Sequence, residues 1–86
     1  MEKFGLLLKT EREQKNLSKY QLGVNLGLNP QSIRFIESSE RFAGPELRDR
    51  LIAYFEADRG KWLRVWATEH LNRAGIKVQS IEIDSS

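Results

Sequence analysis

The chain has 86 residues, a formal net charge of +2 and no cysteine, which suits one domain with a single modest core. Disulfides and thiolate metal sites are thereby excluded, and a domain this small must rest on helix packing or on a partner chain. Hydrophobic residues make up 40% and charged residues 30%, an ordinary balance for a globular chain, and no apolar run approaches the roughly 18 residues that a membrane span needs. The small net charge neither requires nor excludes a nucleic-acid partner, because the placement of the basic residues matters more than their sum.

The first segment, MEKFGLLLKT, has one short apolar stretch, charges soon after it and no small-residue cleavage pattern. It reads as a helix over residues 2–15 and not as a signal peptide, which points to a cytoplasmic protein. Its stripe is Phe4, Leu7 and Leu8, with Leu6 beside them. Asn16 tolerates the left-handed conformation that ends helices. Ser18 is a good N-cap with Gln21 three residues later, the pattern of a capping box, so a second helix is expected from Lys19 to Leu26, stopped by Gly27. Asn29 can cap a third helix whose first residue is Pro30, where a missing N–H is no loss. Ile33 and Ile36 are its inward positions, and it should end near Ser38 or Ser39. After the loop ERFAG, Pro45 opens a fourth helix with Leu47, Leu51, Ile52 and Phe55 inward. Asp58 caps a fifth, which runs to about Arg73 with Trp62, Leu63, Val65, Trp66 and Leu71 apolar and stops at Ala74-Gly75.

The tail, IKVQSIEIDSS, changes period. Ile76 and Val78 alternate with polar residues, and Ile81 and Ile83 do so in the opposite phase. Two short strand pieces joined by a bulge fit this pattern, as does one strand with both faces used. An unpaired strand edge in a helical domain needs a partner. The expected organisation is therefore a helical domain over residues 1–74 and a tail over 75–86 that serves as a dimerisation strand.

Two short helices separated by a glycine turn suggest a helix-turn-helix. The run LSKYQLGVNLGLNPQSIRFIESSER resembles the Cro/phage-repressor helix-turn-helix family. The matching positions are Leu17, Ser18, Leu22, Gly27, Leu28, Ile33, Ile36 and Glu37, and the spacing holds without gaps back to Arg12. GKWLRVW is similar to that family's fifth helix, so the resemblance covers roughly residues 3 to 66. It departs from the pattern at Lys19, where a glutamine is usual, at Gly23, in place of alanine, and at Ser39, near the usual glycine. The resemblance implies an all-α, five-helix, lambda-repressor-like domain and an ion pair between Arg12 and Glu37 that ties the first helix to the end of the third.

It also implies a role for the third helix, which in such domains enters the major groove. Gln31, Ser32, Arg34 and Phe35 would then face base edges, with Asn29 and Pro30 at the tip. Glutamine can pair with adenine and arginine with guanine, and Phe35 could touch a thymine methyl. The plainer reading makes Gln31 and Ser32 solvated and Phe35 part of the core. Phosphate contacts would come from Ser18 and Lys19 at the start of the second helix, where free N–H groups and the helix dipole favour anions, and from Arg41. Lys9, Lys15, Arg48 and Arg50 are weaker candidates for the same role.

No chemistry of catalysis emerges from the sequence. His70 is the only histidine and lacks ligand partners at metal spacing, the acidic residues are scattered, and no glycine-rich phosphate loop occurs. No enzyme activity, cofactor or metal is expected. Trp62 and Trp66, one turn apart, serve the core, a dimer interface or one each. The resulting expectation is a DNA-binding transcriptional regulator acting on double-stranded DNA as a homodimer, with Trp62, Trp66, Ile76, Val78, Ile81 and Ile83 at the interface, as in small phage repressors, restriction controllers and antitoxins. The rivals are an antitoxin-type module whose tail masks a protein partner such as a toxin, and a scaffold that has lost DNA binding.

Overall fold

Five helices succeed one another through the residues that the computed structural model describes, 3–75. They are α1 (Phe4–Gln14), α2 (Lys19–Leu26), α3 (Pro30–Glu37), α4 (Pro45–Phe55) and α5 (Arg59–Arg73). The domain is all-α, with every regular element among the described residues helical. None of these helices is long and apolar enough to cross a membrane. The tail residues Ile76, Val78, Ile81 and Ile83, and the strand expected of them, lie outside the described residues.

Local chemistry sets most of the boundaries. Ser18 and Gln21 form the full capping box, with the Ser18 N–H donating to Gln21 Oε1 at 2.8 Å and the Gln21 N–H to Ser18 Oγ at 3.0 Å. Gly27 closes α2 in the left-handed region at φ 69°, where its lack of a Cβ removes the penalty other residues meet. Asn29 caps α3 by accepting the Gln31 N–H at 2.9 Å, and Asp58 caps α5 by accepting from the Lys61 N–H at 3.1 Å. Asn16 ends the first turn region at φ 57°, and Ser39 takes φ 66° after α3, a left-handed conformation that only glycine adopts without steric cost.

The start of α1 is different. Lys3 supplies no side-chain cap. Instead the Phe4 N–H donates to Glu69 Oε1 on α5 at 2.8 Å, a long-range substitute for a local cap. Arg73 Nε sits 3.3 Å from the other oxygen of Glu69, which is only 3% exposed.

The core draws Phe4 and Leu8 from α1, Leu22 and Leu26 from α2, Ile33 and Ile36 from α3, Leu51 and Phe55 from α4, and Trp62 and Val65 from α5. Leu6, beside the stripe, points outward and is 53% exposed. Gly5 permits the approach of α1 to the end of α3: a Cβ there would overlap the Ile36 carbonyl oxygen and come within 2.7 Å of that of Glu37.

The two tryptophans divide. Trp62 is 4% exposed within one protomer, edge-on to Phe4 with ring centroids 5.5 Å apart. Its expected place at a dimer interface is therefore corrected: it is a core residue with almost no surface left for a second copy. Trp66 is half-buried. Its indole N–H donates to the Ala43 carbonyl at 2.8 Å, and its ring stacks on Phe42 and His70 beneath the Arg48 guanidinium.

Candidate nucleic-acid interface

The third helix is held from behind on two sides. Ile33 and Ile36 are 0% and 3% exposed, so one face of α3 belongs to the core. Leu28, in the turn, donates its N–H to the Gly23 carbonyl at 2.7 Å, which binds the turn to α2. The second restraint is ionic. Arg12 Nε donates to Glu37 Oε2 at 2.6 Å and Arg12 Nη2 to Glu37 Oε1 at 3.1 Å, a two-pronged pair. The remaining prong, Arg12 Nη1, donates to the Leu17 carbonyl at 2.7 Å. Both side chains are almost wholly covered, at 9% and 3% exposure. The hydrogen bonding of Glu37 outweighs the cost of burial and raises the Arg12 pKa above its ordinary value. This bridge links α1, the α1–α2 loop and the end of α3.

The opposite face of α3 is open. Gln31, Arg34 and Ser38 are exposed along it, and Asn29 is exposed at the tip. Ser32 and Phe35 are half-buried at its edges. Lys19, Pro30, Gln31 and Arg34 line a hollow of about 210 Å³ between α2 and α3. Lys9, Lys19, Arg34, Glu37 and Ser38 line a second of about 280 Å³ that reaches α1. The two share Lys19 and Arg34, so they adjoin along one flank of the helix. Glu37 is neutralised by Arg12, and the flank carries net positive charge from Lys9, Lys19 and Arg34. Such a surface attracts an anion to the side of the helix that also presents amide and guanidinium donors.

At the start of α2 the capping box uses the Ser18 and Gln21 N–H groups. The Lys19 and Tyr20 N–H groups have no partner among the described residues and, with the Lys19 ammonium, suit a phosphate. Beyond α3, Arg41 is exposed, and its N–H donates to the Phe35 carbonyl at 3.1 Å.

Two weaker basic candidates are engaged elsewhere. Arg50 Nη2 donates to the Leu26 carbonyl, closing the end of α2 from α4. Arg48 pairs with Asp49 at 2.9 Å and lies over Trp66. Arg73, at the end of α5, donates from Nη2 to the Ser39 carbonyl at 2.6 Å and lies with its guanidinium over Phe42. Gly5 and Glu69 were missed altogether. Gly5 looks like an ordinary helix defect in sequence and Glu69 like one more surface charge, and no local pattern reveals the distant groups that require them. Among the described residues no group of three or more histidine, cysteine or acidic side chains could hold a metal ion.

Comparison with family models, with curated proteins and with solved structures gave no match.

Proposed function

We propose that the chain is a sequence-specific DNA-binding transcriptional regulator, a repressor or autoregulator that binds a palindromic operator as a homodimer. The observation that carries this reading is the two-sidedness of α3: Gln31 and Arg34 are exposed, while Ile33, Ile36 and the Arg12–Glu37 bridge hold the helix from behind. Gln31 would pair with an adenine and Arg34 with a guanine in the major groove, with Asn29 and Ser32 near the leading end. Ser18, Lys19 and Arg41 would hold phosphates on either side. A single α3 offers few base contacts, so affinity calls for two half-sites about 34 Å apart on the duplex. Dimer contacts are assigned to the outer side of α5 around Trp66 and to residues 76–83. The reading carries with it a cytoplasmic location.

The experiment is the salt dependence of binding to random duplex. If Lys19 and Arg41 each neutralise one phosphate, the log–log slope is about −1.8 per protomer. A flat response would overturn the proposal.

A second reading, a protein-interaction module of the antitoxin type, is favoured by a separate observation. Tyr20 and Val24, one turn apart on α2, are 66% and 54% exposed. Tight binding of a protein partner together with a flat salt response on DNA would establish it in place of the first.

A further inference from the structure

One aromatic ring carries two cations where α3 ends. The Arg34 Cζ lies 5.0 Å from the centroid of the Phe35 ring, and the Arg41 Cζ lies 5.3 Å from it. Both are within the roughly 6 Å over which a guanidinium is attracted to an aromatic face. The loop that brings Arg41 there is fixed at several points. The Arg41 N–H donates to the Phe35 carbonyl at 3.1 Å. Ser38 Oγ lies 3.1 Å from the same carbonyl and 2.7 Å from Glu40 Oε2. Ser39 turns the chain through φ 66°, and Arg73 holds the Ser39 carbonyl from α5 at 2.6 Å. The ring is half-buried, so it is a fixed support. Arg34 and Arg41 are exposed and stand on that support.

Arginine is rotamer-rich, and ordering two such side chains opposes binding unless they are ordered beforehand. Two like charges beside one ring also repel each other, which favours an anion that can lie next to both. We propose that Phe35 is a positioning residue: its ring is a shared platform that presets Arg34 toward a guanine edge and Arg41 toward the neighbouring phosphate, and it does not itself touch a thymine methyl. The inference rests on the DNA-binding reading above and adds to it a coupling between base preference and phosphate binding through one side chain.

Three variants and one modified base test it on the sequence that the protein selects from random duplexes. In Phe35→Leu, apolar bulk remains and the aromatic face is lost. Affinity should fall about two- to five-fold for each guanidinium released. Preference at the Arg34-dependent guanine and the salt slope should decline together, the slope by about 0.9. Phe35→Tyr keeps the face and should restore both. Arg41→Gln should reproduce the loss of slope alone. Replacing each thymine of the site by deoxyuridine, which removes only the methyl, should leave wild-type affinity unchanged.

In the free protein, the Arg34 and Arg41 Nε–H resonances should show ring-current displacement that Phe35→Leu abolishes and Phe35→Tyr retains. This readout needs no DNA, and its wild-type arm stands even if Phe35→Leu fails to fold. A several-fold loss on deoxyuridine substitution that disappears in Phe35→Leu would overturn the proposal in favour of direct methyl contact. Undisplaced Nε–H resonances, or a folded Phe35→Leu with unaltered preference and slope, would overturn it alone. Failure of the wild type to select any sequence would remove the DNA-binding reading and this inference together.

Discussion

Removing the Glu37 carboxylate should cost more than any surface change in this domain. The Arg12 guanidinium is nearly covered and makes three hydrogen bonds, two to Glu37 and one to the Leu17 carbonyl. Glu37→Ala deletes two of the three and leaves a buried cation with one neutral acceptor. Breaking a buried pair from one side costs about 3–5 kcal/mol. At roughly 0.05–0.15 kcal/mol per residue, the whole domain is stable by about 4–13 kcal/mol, so the variant should lose a large share of the total. Removing both charges tells a different story, because apolar replacements of similar volume leave no stranded ion. Arg12→Met with Glu37→Leu should recover at least about 2 kcal/mol relative to Glu37→Ala. Recovery is incomplete because the Leu17 carbonyl loses its donor, a loss of about 0.5–1.5 kcal/mol. Urea unfolding followed by tryptophan fluorescence measures all three proteins. A cost below about 1 kcal/mol for Glu37→Ala, or a double variant weaker than the single, would mean that the pair behaves as a solvated surface contact and does not fix α3.

Three further outcomes follow from the packing and charge elsewhere in the domain. Gly5→Ala gains helix propensity of about 1 kcal/mol but drives a methyl into the carbonyls ending α3, and overpacking of this kind costs about 1–3 kcal/mol or more; it should be net destabilising in urea, and a more stable variant would refute the close approach. Glu69→Ala strands the Phe4 N–H and removes the carboxylate partner of Arg73, which keeps the Ser39 carbonyl, so about 1–3 kcal/mol should be lost, read as a fall in Tm of at least about 4 °C; an unchanged Tm would contradict that capping role. The Arg48 hydrogen bond holds the Asp49 carboxyl below its ordinary value of 3.8. Its stabilising contribution is therefore present above that value and is lost as pH falls through the folded-state pKa. An NMR titration should find the midpoint below 3.8, returning toward it in Arg48→Gln, and a midpoint at or above the ordinary value would dismiss the interaction.

Local signals carried the helix boundaries. Ser18 with Gln21, Gly27, Asn29 with Pro30, and Asp58 act through their immediate neighbours, and each appears in the sequence as the same short pattern that it forms in space. Periodicity found Ile33 and Ile36, because a helix buries every third or fourth residue. Pairings across the chain were not legible in this way. Glu69 and Phe4 are 65 positions apart, and a single glutamate on a helix carries no mark of the N–H it will meet. Arg50 has the look of a free cation in sequence, and nothing local marks the Leu26 carbonyl that it meets or the Ser39 carbonyl that Arg73 meets. Trp62 and Trp66 share one helical period, yet the first is core and the second half-exposed, because the period gives a face and not what covers it. The Arg12–Glu37 bridge was anticipated only through the family resemblance, since nothing local joins residues 25 positions apart.

The most direct measurement is the affinity of Gln31→Ala and Lys19→Ala for the selected operator and for each of its single base-pair variants. Gln31→Ala should lose preference at one position per half-site, worth about 1–3 kcal/mol, while Lys19→Ala should weaken every sequence alike and lower the salt slope. Unchanged binding by both variants would contradict the claim that the exposed side of α3 meets the duplex.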